Sequence, residues 1–370
     1  MIETTSLYIH IPFCQSRCHY CSFAIVTGKD KFIDDYARAL AVEAGRYRGL
    51  KVGSIYVGGG TPSHLPVSKI ETLFKIIGDS FDMAAASEVT FEANPVSCDA
   101  KKAEVLLRCG VNRLSLGVQS LNEKYLKYLG RLHRADDASA SYRTLRMAGF
   151  RNISVDLMYC LPGQTSDELC RDLEDMARLE SDHISLYALN VEKGSRFHKR
   201  RVPEKAEENQ IEEFFLVRDT LARFGFQQYE VSNFAKPGKE SSHNINYWRG
   251  GNYIGLGLGA HSHENGKRFW NTPDLDEYLA KTLSGEQAVA GSETLDGVKR
   301  LKEAFLFGLR MNEGVDLESL EQTYAGTFSP AEGDILEELT REGYITREGT
   351  RFKTTAKGQL ILDEIAGRLI

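Results

Sequence analysis

The sequence predicts an α/β protein, with parallel β/α units in its first half and a smaller α+β region behind them. Three observations carry this. Short apolar, β-branched runs recur at residues 6–12, 54–57, 88–92, 113–118, 153–158 and 183–189. Stretches with helical spacing separate them at 32–47, 68–80, 100–109, 136–148 and 166–179, and strand–helix–strand alternation is the pattern of parallel β/α units. After about residue 190 the rhythm breaks. The six units can close most of a barrel or open into a doubly wound sheet, and periodicity leaves both open. The segments 14–21, 58–62 and 92–95, with Gln119 and Asp156, sit at or just past strand ends. In β/α barrels that rim is where active sites are built.

Behind the alternating half comes an acidic helix at 204–224, strands near 227–234 and the glycine-rich stretch "YIGLGLGAHSH". The tail reads helix (297–309), helix (317–324), helix (330–342), hairpin "YITREGTRFKTT" and a last helix, which is winged-helix order. Such modules often bind DNA. Residues 330–370 carry eight acidic and six basic side chains, which offers no phosphate-binding face, so a lid or docking element is expected. The expected division is 1–190, 191–290 and 291–370.

At 370 residues the chain is long for one core, and 42% hydrophobic with 26% charged residues is ordinary for a globular protein. The net charge of −6 gives no basic field for nucleic acid. Seven cysteines are present. Cys98, Cys109, Cys160 and Cys170 are scattered as no disulfide framework requires, which points to a reducing compartment. The N-terminus lacks a basic segment followed by a long apolar run, and no apolar run is long enough to span a bilayer. The expectation is a cytoplasmic protein, at most peripheral to a membrane.

The other three cysteines lie in "HIPFCQSRCHYCSF". Cys14, Cys18 and Cys21 leave the first strand together and can reach one metal centre. Structural zinc wants four protein ligands, usually from paired C-x₂-C arms, and no second arm exists. An iron–sulfur cubane held by three thiolates keeps one iron free. S-adenosylmethionine (SAM) can bind that iron through its amino group and carboxylate, and one electron then yields a 5′-deoxyadenosyl radical. Phe23, where a fourth thiol might follow, marks an open position rather than a lost ligand.

This C-x₃-C-x₂-C resembles the radical SAM superfamily. "YIHIPFC", "GGGTPS", "FEANP", "SLGVQS", "LGRLH" and "VDLMYCLPGQT" narrow the resemblance to oxygen-independent coproporphyrinogen III oxidases and their HemW-type heme chaperone relatives. The resemblance implies a partial (β/α)6 radical SAM barrel followed by a smaller α+β C-terminal domain with a winged-helix-like tail. It also implies a [4Fe–4S] cluster on Cys14, Cys18 and Cys21. Backbone at Gly59, Gly60 and Thr61 is expected to accept from the methionyl ammonium, and Arg131 is a natural bidentate partner for its carboxylate. Gln119 and Asp156 suit the ribose hydroxyls, and Glu92 the ammonium or a hydroxyl. Tyr8 and Tyr20 flank the cluster. Cys160 stands where the family pattern has Gly.

Two features set the chain apart from the oxidases. It begins seven residues before Tyr8, without their long N-terminal extension, and Phe23 replaces their fourth, non-ligating cysteine. A third, "HNINYW", resembles the H-N-x-x-Y-W block of the chaperones. There His243 is the expected heme ligand, with His261 and His263 of "GAHSH" behind it, since imidazole ligates heme iron. The implied function is binding heme and passing it to apo-cytochromes or other respiratory heme proteins, with membrane contact only through the acceptor. The alternative is decarboxylation of coproporphyrinogen III.

Overall fold

The computed structural model describes residues 5–370. A 13-stranded mixed sheet dominates it. Six strands form its parallel heart: β1 (Thr5–Ile11), β2 (Leu50–Gly59), β3 (Glu88–Ala93), β4 (Arg113–Gln119), β5 (Ile153–Tyr159) and β6 (His183–Ala188). Each pairs in parallel with the next. Strand order follows chain order without reversal, whereas a doubly wound sheet reverses at a switch point. The sheet therefore winds one way round, as a barrel does. Helices α1 (Ile33–Ala44), α2 (Val67–Ser80), α3 (Ala100–Arg108), α4 (Glu123–Leu129), α5 (Ala135–Ala148) and α6 (Ser166–Arg178) fill the crossovers.

The barrel does not close. Beyond β6 lie β8 (Asn233–Ala235) and then β7 (Gln227–Glu230), both reached by antiparallel pairing and preceded in the chain by helix α7 (Glu207–Arg223). On the far side, β9 (Tyr253–Leu256) runs parallel to β1, and β10 (His261–Glu264), β11 (Lys267–Asn271) and β12 (Val289–Thr294) follow antiparallel. The glycine-rich stretch thus contributes a wall strand beside β1.

Each parallel strand alternates. Leu7, Ile9 and Ile11 of β1, and Val89 and Phe91 of β3, are buried on the outer face under the helices. Truncating such a residue to Ala typically costs about 2–5 kcal/mol. The other face carries Ser6, Tyr8 and His10, or Thr90 and Glu92. Parallel strands covered on both faces by apolar packing read as continuous apolar runs. Alternation here means that one face packs helices and the other lines a polar lumen.

One short helix closes the floor of that lumen. Helix α8 (Ser242–Trp248), preceding the β9 strand, is capped by Glu88: Ser241 Oγ donates to its Oε1 at 3.0 Å and Ser242 N to its Oε2 at 2.8 Å. Helix α9 (Leu275–Leu283) links β11 to β12. The tail folds as helix α10 (Gly297–Gly308), β13 (Val315–Asp316), α11 (Leu317–Tyr324), α12 (Pro330–Arg341) and the hairpin β14 (Ile345–Glu348) with β15 (Arg351–Thr354). Its three strands form a separate sheet. It has its own core, with Phe305, Leu309, Leu339, Ile345 and Ile365 buried together. This is the winged-helix order expected. Among the described residues no helix is long and apolar enough to cross a membrane.

Candidate functional site

The cysteine segment leaves β1 and is pinned at both ends, because Phe13–Cys14 pairs with Val26–Thr27 as a short parallel ladder. In its middle, His19 donates its amide to Leu129 O at 2.9 Å and its Nδ1 lies 2.8 Å from Tyr128 O. That fastens the segment to the end of α4. The helix stops at Gly130, whose φ of +75° turns Arg131 back toward the strand ends. A Cβ at Gly130 would lie 2.9 Å from the His19 ring, so only glycine fits this crossing. Cys14 is buried with Sγ 3.3 Å from Thr61 Oγ1. Burial pushes the Cys14 thiol up to about 11 and raises Cys21 as well. Such thiols stay protonated until a metal takes the place of the proton. Among the described residues, no three His, Cys, Asp or Glu side chains converge on one point as a single ion requires. A cubane asks something different, since its three thiolates bind three separate irons.

Arg131 joins this segment to the barrel. Its Nη1 donates to Cys18 Sγ at 3.4 Å, and its Nη2 to Asn94 Oδ1 at 2.7 Å and Gly117 O at 2.5 Å. Asn94 Nδ2 in turn donates to Thr61 Oγ1 at 3.2 Å. A hydrogen-bonded belt therefore runs Cys18–Arg131–Asn94–Thr61–Cys14. Arg131 Nε is a buried donor with no partner. A buried donor without an acceptor costs about 1–3 kcal/mol, and a ligand carboxylate satisfies it. SAM's methionyl group fits this donor.

The glycine turn after β2 fits as well. Gly59 N donates to Glu92 Oε2 at 3.0 Å, Gly60 N to Ile11 O at 2.8 Å and Thr61 N to Phe13 O at 3.0 Å. With its amides spent on the protein, the turn offers a ligand acceptor oxygens, which suits an ammonium. Gly59 has φ +114°, and a Cβ there would lie 2.6 Å from the His10 ring. Glu92, which also accepts from Tyr56 OH at 2.7 Å, is pushed up to about 7 by burial, with the nearby Asp156 charge adding to the shift. Asp156 accepts from Ser115 Oγ at 3.0 Å to each oxygen and is likewise raised by burial. Gln119 ends β4 with φ +72° at a register shift against β5, so its side chain leaves the ladder at the rim. Cys14, Cys18, Cys21, Gly59, Gly60, Thr61, Glu92, Gln119, Arg131 and Asp156 are thus brought together at one end of the barrel.

Tyr8 lines the lumen and contacts His10 Nδ1 at 3.0 Å, while His10 Nε2 lies 2.8 Å from Ala24 O. That relay couples β1 to the end of the cysteine segment. Tyr20 packs against a satellite core containing Tyr125, Leu129 and Phe197 and is raised by burial.

His243 is elsewhere. It lies in the floor helix, 1% exposed, with Nδ1 2.9 Å from Ser54 Oγ and Nε2 2.9 Å from Tyr247 OH. Burial lowers its pKa to about 3. Ser54 is five residues below Gly59 on β2, which separates His243 from the cysteine end by about 17 Å at ~3.3 Å per residue. Both ring nitrogens of His243 lie within hydrogen-bond distance of protein hydroxyls. His263 is also buried, with Nδ1 3.3 Å from Gly251 O. His261 is exposed and stacks on Trp270, with ring centroids 5.5 Å apart at 21°.

Asn94 and His10 were not anticipated as site residues. Asn94 stood inside the "FEANP" block and His10 inside "YIHIPFC", but only the fold shows what they join.

Comparison with known proteins defines the class first. Residues 8–176 match the Radical SAM superfamily and residues 295–361 the HemN C-terminal domain. The chain is 36% identical to the heme chaperone HemW of Lactococcus lactis over 362 residues, covering 96% of this chain and 94% of that protein. It is 32% identical to the Bacillus subtilis HemW over 374 residues, covering 99% of each. The chain belongs to the HemW heme chaperone family of radical SAM proteins. Among solved structures, the coproporphyrinogen III oxidase HemN from Escherichia coli superposes with a TM-score of 0.88 at 24% identity, covering 99% of this chain and 90% of that one. That likeness is one of fold. The superfamily implies a [4Fe–4S] cluster and SAM, and the name of the relatives implies heme.

Proposed function

We propose that this chain is a cytosolic heme carrier that holds a [4Fe–4S] cluster and SAM and delivers heme to apo-cytochromes or other respiratory heme proteins. The observation that carries the cofactor half is Arg131, which reaches Cys18 Sγ with one guanidinium nitrogen and keeps Nε buried without a partner. A group that bridges a cluster ligand and a free carboxylate fits that position. Cys14, Cys18 and Cys21 hold the cluster. Arg131 takes the methionyl carboxylate, the carbonyls around Gly59 and Gly60 with Glu92 take the ammonium, and Gln119 and Asp156 take the ribose hydroxyls. Tyr8 walls the lumen, and Tyr20 shields the cluster. When bound, the two groups together supply one-electron reductive chemistry at the barrel mouth.

The heme half rests on the name shared by full-length relatives at 32–36% identity. The oxidase alternative is favoured by the likeness of fold and by the ionisable lumen that Glu92 and Asp156 line. One experiment separates the two. The reconstituted protein is titrated with hemin and, in parallel, given coproporphyrinogen III with SAM and a reductant. Stoichiometric heme binding without turnover supports the carrier, and multiple-turnover formation of protoporphyrinogen IX overturns it.

A further inference from the structure

The chain is acidic overall, with a net charge of −6, yet one exposed turn is wholly basic. Residues 193–201 carry Lys193, Arg196, His198, Lys199, Arg200 and Arg201 and no acidic residue. Lys193, Arg196, Lys199, Arg200 and Arg201 are all exposed. Among the described residues, none of these five side chains makes a hydrogen bond or an ion pair. By contrast Arg178, exposed on α6, pairs with both Glu174 and Asp175. Arg196 and Arg200 stand four apart, a spacing at which like charges repel. The fold itself draws no stability from the run.

The turn is nevertheless held in one place. Ser195 caps the one-turn helix Arg196–Lys199, accepting from His198 N at 3.0 Å. Arg201, at φ +52°, then turns the chain back so that Val202 N reaches Phe197 O at 3.1 Å. Phe197, in the middle of the run, is buried in the satellite core with Tyr125, Leu129 and Leu189. Its amide donates to His19 O at 2.9 Å. Its ring centroid lies 6.0 Å from that of His19 and 4.9 Å from that of Tyr128. His19 directly follows Cys18, so the basic turn is fastened to the cysteine segment itself. Helix α4 adds Lys127, exposed and also unpaired among the described residues. Arg200 lies near enough to Tyr128, the next residue of α4, for its charge to act on the phenol. Phe23 and Leu132, close in sequence to Cys21 and Arg131, are exposed apolar side chains.

We propose that the surface built from Lys127, Arg196, Lys199, Arg200 and Arg201 docks an acidic protein that delivers one electron to the cluster. This rests on the cofactor half of the reading above, with the cluster on Cys14, Cys18 and Cys21. The donor loses one electron and the cluster gains it, and no bond or proton moves in the transfer. The net negative charge of the chain turns an acidic donor away from the rest of the surface, and the basic patch admits it. Charge complementarity of this kind steers the encounter and fixes its orientation. Electron-transfer encounters bury little area, below about 1,200 Å², so charge rather than area has to select the partner. Polybasic segments also attract anionic lipid. The bond from this turn to the residue after Cys18 favours the electron donor, because a lipid surface has no need of a cluster ligand's neighbour.

The test uses the full-length, cluster-reconstituted protein under anaerobic conditions, with flavodoxin hydroquinone as the acidic donor. The double variant Lys199→Glu with Arg200→Glu is set against Arg341→Glu with Lys357→Glu, which makes the same charge change at exposed positions of the tail. Donor-driven cluster reduction, followed by stopped-flow absorbance, is expected to slow at least about tenfold in the first pair and to stay near wild type in the second. Raising salt from about 0.05 M to about 0.5 M is expected to slow the wild type and to change the first pair little. Calorimetry of oxidised flavodoxin against the cluster-free proteins is expected to rank their affinities in the same order. Photoreduced deazariboflavin, a small uncharged reductant that needs no docking, is expected to reduce the cluster equally in all three. Iron content and thermal melts matching wild type establish that cluster and fold are intact. Equal donor-driven rates in the two double variants overturn the assignment and leave the cluster reading standing. So does loss of binding to phosphatidylglycerol vesicles in the first pair with an unchanged donor-driven rate, which makes the patch a lipid contact. A wild type that takes up no iron overturns the cofactor reading itself, and this assignment with it.

Discussion

Arg131 Nη1 donates to the sulfur of Cys18 at 3.4 Å. A residue expected to bind the small-molecule cofactor thus also touches a residue expected to bind the metal, and the two sites share one hydrogen-bonded frame.

The cluster assignment is tested by single substitutions. Cys14→Ala, Cys18→Ala and Cys21→Ala should each lose the reconstituted cluster, read by iron and sulfide content and Mössbauer spectra. Cys98, Cys109, Cys160 and Cys170 should be replaceable with full iron content. Retention of a complete cluster after loss of any one of the first three would remove the assignment.

Arg131→Ala should weaken SAM binding by at least about tenfold, since a charge-assisted hydrogen bond contributes roughly 1.5–3 kcal/mol. Arg131→Lys should recover little of it, because an ammonium cannot reach Asn94, Gly117 and a carboxylate at once. Asn94→Ala should act in the same direction more weakly by freeing the guanidinium. Calorimetry showing equal SAM affinity in all three would discard the role.

Glu92 makes a pH prediction. Burial holds its carboxyl at about 7 in the folded chain against 4.5 for the free group. Across that window the folded state binds more protons than the unfolded one, so this group's contribution to stability falls as pH rises from about 4.5 to 7. Urea midpoints of the apo-protein should therefore show wild type losing stability relative to Glu92→Gln between pH 5 and pH 8. Parallel profiles for the two proteins would contradict the shift.

His243→Gln and His243→Ala test the floor of the barrel. Truncation strands the Ser54 and Tyr247 hydroxyls and opens a small cavity, at a cost of about 2–4 kcal/mol. Glutamine should recover part of this. Hemin spectra of both variants, set against wild type, test His243 as the heme ligand. A changed Soret band in a fully folded His243→Gln supports that role, and an unaltered band and affinity remove it.

The sequence made the rim legible because its parts are contiguous. Three cysteines in eight positions, the GGGTP turn and the LGRLH segment each carry their chemistry in neighbouring letters. What joins them is not contiguous. Asn94 connects Arg131 to Thr61 across 37 and 33 residues, and no local pattern announces such a bridge. His243 shows the converse. Its block has the composition of a heme site, but composition does not say at which end of a strand a residue lands, and the fold sets His243 against Ser54, five residues before Gly59 on that strand. The placement of β9 beside β1, nearly 250 residues apart, follows from pairing that periodicity cannot display. One further signal is local: "SLYIHI" and "EVTFEA" alternate polar with apolar, which distinguishes a lined lumen from a dry core.

That alternation has an evolutionary consequence. Outer-face residues such as Ile9 and Phe91 answer to the helices, and inner-face residues such as Tyr8 and Glu92 answer to whatever enters from the mouth. Successive positions on one strand can therefore change independently of one another. Inner-face residues can be exchanged, and what the lumen accepts altered, without disturbing a helix contact on the outer face.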